Sequence, residues 1–243
     1  GDLVNTVVTD KNGVAKSDTL PLGRYTIRET KAPMFYSAAA QPIEAEIEFS
    51  GQIVRIEVLN QSVYTNVSVS KRGYKQVTPS QTIRYDFKNI ANNSTVPLNS
   101  FYWRDTLPTS AVRLTKIITG TWNQKLSYKV VYKTNLHDYR TLADNLSTMK
   151  NYSLDASPAA LGLASNEYVT DFMFVFGTVK AGFAQVDAPY ILCWTNSWLN
   201  NGYQFANRTD VGGLHGGQWI MATDRWVTTV YKPGVTTLPK TGY

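Results

Sequence analysis

The sequence predicts an all-β protein made of two tandem β-sandwich domains, the first incomplete at its N-terminus. Three observations carry that expectation. Segments of period-2 alternation rich in β-branched and aromatic residues recur along the whole chain. Turn chemistry separates them, as at Asp10-Lys11-Asn12-Gly13, Ser50-Gly51, Ala91-Asn92-Asn93-Ser94, Asn200-Asn201-Gly202 and Gly212-Gly213. The style of the chain also changes near residue 62, because all six tryptophans lie beyond it.

Taken in order, alternation marks strands over residues 24–29, 43–49 and 53–60 in the first domain. In the second it marks residues 63–71, 82–87, 127–133, 168–179 and 219–231. Residues 138–149 carry a helical hint, with Tyr139, Leu142, Leu146 and Met149 on one stripe after Asp138 as a cap. The expected domains are 1–62, a small module whose opening reads as a middle strand, and 63–231, a larger sandwich with insertions. Residues 232–243 follow as an extended linker with a terminal motif.

Composition narrows the function. The chain of 243 residues is 43% apolar and 17% charged, with 30 aromatic residues, which suits packed cores and excludes disorder. No apolar run is long enough for a spanning helix, and no leader opens the chain, so any export or membrane signal is expected outside this stretch. One cysteine, Cys193, and two histidines, His137 and His215, leave no stock for a zinc site, a disulfide or a histidine-based catalyst. No cofactor is expected, and no enzyme beyond self-modification. The net charge of +6 is scattered, with Lys71-Arg72 the only adjacent basic pair, so nucleic acid is not an expected partner.

Three strands of the large domain carry a pattern that ordinary cores avoid. Val67, Val69 and Lys71 form one i, i+2, i+4 set; Phe101, Trp103 and Asp105 form the second; Tyr203, Phe205 and Asn207 form the third. Each set should face inward, burying a lysine, a carboxyl and an amide together. Desolvation then favours a neutral amine and a protonated carboxyl. A neutral amine is a nucleophile, a carboxyl can polarise an amide and carry protons, and loss of ammonia leaves a Lys-Asn isopeptide bond. The small domain repeats part of this logic, with Tyr25, Ile27 and Glu29 alternating inward, and Val54, Ile56, Val58 and Asn60 likewise. Its lysine strand is missing. Lys11 and Lys16 flank the Asn12-Gly13 turn and read as solvated.

Residues 9–13 together with Leu20-Pro21-Leu22-Gly23-Arg24-Tyr25-Thr26-Ile27-Arg28-Glu29-Thr30-Lys31-Ala32-Pro33 resemble the Cna B-type, prealbumin-like domain of Gram-positive pilins and surface adhesins. Met34-Phe35-Tyr36 departs from the usual pair after Ala-Pro. The resemblance implies that Glu29 assists an isopeptide bond accepted by Asn60, whose lysine partner would lie upstream of Gly1. Val69-Ser70-Lys71, residues 82–87 with Asn89 and Asn92, Arg104-Asp105-Thr106-Leu107-Pro108 and residues 205–211 resemble, more loosely, the Ig-like isopeptide-forming fimbrial domains related to Cna A-type modules. That resemblance implies Lys71 as nucleophile, Asp105 as proton shuttle and Asn207 as acceptor, the residues that alternation selects independently. Glu167, opening the 168–179 strand, is the reserve shuttle.

Leu238-Pro239-Lys240-Thr241-Gly242 resembles a sortase sorting signal, which is cleaved between Thr and Gly and joined to an amine. A wall-anchored surface protein or pilus subunit is therefore expected at the cell surface. Its partners would be sortase and then peptidoglycan or a neighbouring pilin, with the membrane reached only through a sorting span beyond Tyr243. The alternative is an adhesin whose tryptophan-rich second domain binds a host glycan or an extracellular-matrix protein. Trp194, Trp198, Trp219 and Trp226 are its candidates, and their exposure discriminates, because a stalk buries them.

Overall fold

The computed structural model describes residues 1–33, 36–39 and 41–234, and these divide into two compact units, Gly1–Val63 and Tyr64–Tyr243. The described part is all-β. Its strands in chain order are β1 (Gly23–Ile27), β2 (Tyr36–Ser37), β3 (Ile43–Ile47), β4 (Gln61–Ser62), β5 (Val67–Gly73), β6 (Gln76–Val77), β7 (Thr82–Asn92) and β8 (Leu98–Thr106), followed by β9 (Val112–Ile118), β10 (Ser127–Thr134), β11 (Arg140–Ser147), β12 (Ser153–Asp155), β13 (Val169–Val179), β14 (Tyr190–Thr195), β15 (Gln204–His215) and β16 (Gln218–Val230).

The first unit holds two small antiparallel pairs, β1 with β3 and β2 with β4. Among its described residues none is buried. The expected strand over 53–60 does not form: this stretch has no ladder partner, and Val54, Ile56 and Val58 stay exposed. A strand exists only where a neighbour receives its backbone groups, so alternation alone could not make one here.

The second unit is a sandwich of a seven-stranded sheet, ordered β11-β10-β13-β8-β15-β16-β6, and a five-stranded sheet, ordered β12-β9-β14-β7-β5. Inward alternation fills the space between them with aromatic rings. Trp103 meets Phe87 at 4.5 Å and Phe174 at 4.6 Å, while Trp122 stacks on Phe183 at 5.3 Å. Residues 138–149 are not helical. Arg140–Ser147 is the edge strand β11, paired with β10 through two register shifts. Gly212 and Gly213 also lie inside β15 instead of at a turn. The reversal falls at Gly216-Gly217, both with positive φ, and the His215↔Gln218 register makes a two-residue hairpin there.

Candidate functional site

The site is assembled from both sheets. Lys71 lies on β5, an edge of the five-stranded sheet, and Asp105 and Asn207 lie on the neighbouring strands β8 and β15 of the other sheet. Asp105 pairs with Thr209, so Asn207, two residues earlier on the same face, is its diagonal neighbour. Facing sheets stand about 10 Å apart, a gap that a lysine can cross and a shorter amine could not. All three side chains are fully buried.

The Lys71 ammonium is in direct contact with Asp105 Oδ1. It also lies 4.0 Å from the centre of the Phe87 ring and 4.9 Å from that of Tyr85, so the walls of the site are aromatic and dry. Behind Asp105, Trp103 Nε1 donates to Thr209 Oγ1 at 2.8 Å, and that hydroxyl donates to the Arg104 carbonyl at 2.8 Å, fixing β8 against β15. The backbone N–H of Lys71 donates to Asp224 Oδ2 at 2.7 Å, which ties β5 to β16. Four polar atoms of the site have no hydrogen bond among the described residues: Asp105 Oδ2, both Oδ1 and Nδ2 of Asn207, and the Tyr85 hydroxyl.

Burial pushes the Lys71 amine down to about 8, the contact with Asp105 opposing that fall only in part. Burial likewise pushes the Asp105 carboxyl up, against the pull of Lys71 and of the nearby Asn207 amide. Cys193, buried on β14, is held as the neutral thiol by the same desolvation. An amine that gives up its proton more readily than a free lysine, a carboxyl pushed toward its protonated form and a buried primary amide thus share one enclosed space.

Glu167 stands elsewhere. It accepts from Thr134 Oγ1 at 2.7 Å and contacts Arg140, and the Thr134 bond is the main cause holding its carboxyl below the usual range. An ionised, fully partnered carboxylate has no proton to offer, so the reserve role expected for it is corrected. Tyr203 is also half outside, next to the start of β15, instead of facing inward with Phe205.

In the first unit Glu29 and Asn60 meet outside any strand, without the inward alternation expected of Val54, Ile56 and Val58, Asn60 Nδ2 donating to Glu29 Oε1 at 3.0 Å. The Ala39 N–H donates to Glu29 Oε2 at 2.9 Å, and Asn60 Oδ1 is buried without a partner. Lys11 and Lys16 are exposed. The sorting motif, Leu238 to Gly242, lies outside the described residues. Among the described residues no group of three or more His, Cys, Asp or Glu side chains could hold a metal ion, and no helix is long and apolar enough to cross a membrane.

Residues 1–62 match the family of prealbumin-like fold domains. No curated protein is significantly similar to the chain. Among solved structures it is similar to the major pilin BcpA of Bacillus cereus, at 16% identity and a TM-score of 0.33, over 91% of this chain and 59% of that one. It is similar to the full-length major pilin SpaD of Corynebacterium diphtheriae at 18% identity and 0.32, over 92% and 51%. The collagen-binding domain of a Staphylococcus aureus adhesin is similar at 13% identity and 0.29, over 70% of this chain and all 100% of that domain. The chain thus spans between half and three fifths of the two pilins' length. At such scores these likenesses carry no function, and the chemistry of the site carries it instead.

Proposed function

We propose that this chain is a structural module of a wall-anchored surface protein or pilus, held together by an isopeptide bond between Lys71 and Asn207, and the exposure of Trp194, Trp198 and Trp219, which a pure stalk would bury, supports a binding role beside it. The observation that carries the reading is the buried cluster of Lys71, Asp105 and Asn207, with the amide of Asn207 unpartnered on both polar atoms. Leaving such groups buried costs about 1–3 kcal/mol each, an expense that a purely structural core would avoid. In the reaction the neutral Lys71 Nζ attacks Asn207 Cγ, the Nζ–Cγ bond forms, and the Cγ–Nδ2 bond breaks. Asp105 donates its proton to the amide oxygen, takes one from the attacking nitrogen and passes it to Nδ2, which leaves as ammonia while the oxygen returns its proton to Asp105 as the carbonyl re-forms. No oxidant or cofactor enters the balance.

The expected signature is the intact mass of the denatured chain lower by one ammonia, with Lys71→Ala, Asn207→Ala and Asp105→Ala each keeping the full mass. A full mass in folded wild-type protein would sink the proposal.

Anchoring rests on Leu238-Pro239-Lys240-Thr241-Gly242. Purified sortase with an added amine should release Gly242-Tyr243 and join Thr241 to the amine, placing the module on peptidoglycan or a neighbouring pilin, while Pro239→Ala should stay intact. Survival of the wild-type terminus through treatment with several sortase classes would remove the anchoring. In the first unit, Glu29 and Asn60 read as the acceptor half of a second bond, its lysine brought by an added strand.

A further inference from the structure

The tryptophans of the second unit divide into two populations. Trp103 and Trp122 are buried and Trp226 packs half-buried against the core, whereas Trp194, Trp198 and Trp219 are 46%, 64% and 55% exposed. An indole that stays in water forgoes the burial its large ring would otherwise gain, so an exposed group of them asks for a reason. Trp194 and Trp198 are grouped. On the outer face of the five-stranded sheet Trp194 of β14 pairs directly with Arg113 of β9. The Arg113 guanidinium also lies 6.0 Å from the centre of the Trp198 ring and 4.4 Å from that of Tyr168.

Arg113 is itself unusual. The other half-buried arginines each pair with a carboxylate: Arg84 with Asp86, Arg104 with Asp210 and Arg140 with Glu167. Arg113 is the half-buried arginine with no carboxylate among the described residues. It donates through Nη1 to the carbonyls of Thr109 and Val112, and desolvation lowers its pKa, opposed only by the Tyr168 phenol and by no carboxylate. Those two bonds fix the plane of the guanidinium and leave its remaining N–H groups without an acceptor among the described residues. A cation held in place, partly desolvated and lacking a counter-ion is complementary to an anion supplied from outside.

We propose that Arg113, Trp194, Trp198 and Tyr168 form a binding site for an acidic glycan, a sugar chain bearing carboxylate or sulfate. The anion would take the free edge of the Arg113 guanidinium as a two-point hydrogen-bonded pair. The C–H faces of adjoining sugar rings, which carry partial positive charge, would pack on the exposed indole faces. Broad exposed rings suit flat pyranoses, and one fixed cation suits a polymer with one acid per sugar or disaccharide.

The test is saturable quenching of tryptophan fluorescence by three probes: a hyaluronan octasaccharide for carboxylate, a heparin octasaccharide for sulfate, and maltooctaose as a neutral chain. At least one acidic probe should bind, and maltooctaose should bind about tenfold or more weakly. Arg113→Gln and Trp198→Ala should each weaken acidic binding by about tenfold or more, and Arg113→Lys, which keeps the charge but not the planar fork, should fall between. Trp219→Ala, on the other sheet, should bind as wild type does. Arg113→Lys also reports should the glutamine variant fail to fold. The proposal is overturned if neither acidic octasaccharide binds at about 1 mM, if Arg113→Lys equals wild type, or if Trp219→Ala loses as much as Trp198→Ala. Equal binding of a polyglutamate peptide with the same dependence on Arg113 would overturn the glycan assignment in favour of an acidic protein. None of these outcomes depends on the Lys71–Asn207 bond.

Discussion

At the scale of single residues, the chemistry turns on where the proton of the Lys71–Asp105 pair resides. The Lys71 amine titrates at about 8 in the folded unit, against 10.5 in an unperturbed chain. Between those values the unfolded chain binds a proton that the folded one does not, so stability must rise with pH across that window, by about 1.4 kcal/mol per pH unit. The measurement belongs on Asn207→Ala, where Lys71 remains a free amine: relative to the double variant Lys71→Met, Asn207→Ala, which shares the opposing contribution of the buried Cys193 thiol, its denaturant midpoint should climb from pH 8 to pH 10. Parallel profiles for the two would contradict a depressed amine. Lys71, Asp105 and Asn207 were legible in the sequence because each closes an inward alternation with a group that a core normally excludes. Glu167 misled because a carboxylate at a strand entrance looks available until its partners, Thr134 and Arg140, are seen. Arg113 gave no local signal at all, since what sets it apart is a missing partner, which only the folded chain displays.

At the scale of elements, alternation located most of the strands that bear the site, and its errors have identifiable causes. The spacing of Leu142 and Leu146, four residues, is shared by a helix of period 3.6 and a strand of period 2. Pairing with β10 decided for β11, and the shifts of register there absorbed the odd spacing from Tyr139. In residues 53–60 the pattern was present and the partner was absent. Gly212-Gly213 looked like a turn because glycine serves both turns and close approaches. Here a Cβ on Gly212 would meet the Tyr102 ring at 2.9 Å and one on Gly213 would meet Leu98 at 2.8 Å. Gly120, just after β9, is the most constrained of these positions. Its φ is +66°, and an added Cβ would stand 2.2 Å from the Asp187 carbonyl oxygen, a backbone atom with no freedom to turn aside. Gly120→Ala should therefore cost about 2–4 kcal/mol in denaturant unfolding, from the left-handed backbone and the overlap together. A loss under about 0.5 kcal/mol would contradict this packing of the 119–121 and 187–189 segments.

At the scale of the whole molecule, the proposed bond joins the first strand of the second unit, β5, to its next-to-last strand, β15. The final strand, β16, is retained instead by its ladder with β15, from Gln204↔Thr229 to His215↔Gln218, and by the Lys71–Asp224 contact. The proposed bond would close the chain between residues 71 and 207 covalently. On the chain-entropy model such a long closed loop stabilises by about 4–5 kcal/mol. Pulling the second unit by its ends should therefore free only the strand beyond Asn207, an extension of about 8 nm at the length of an extended residue. In Lys71→Ala the same pull should release about 50 nm or more. Equal extensions in single-molecule force records would mean that the closure carries no tension. The most direct test of the closure is chemical: digest the denatured wild-type protein with trypsin and sequence the products by tandem mass spectrometry. The account predicts one branched peptide in which the Lys71 side chain is joined to the Asn207 side chain with ammonia lost. Recovery of the two segments as separate, unmodified peptides from folded protein would contradict it.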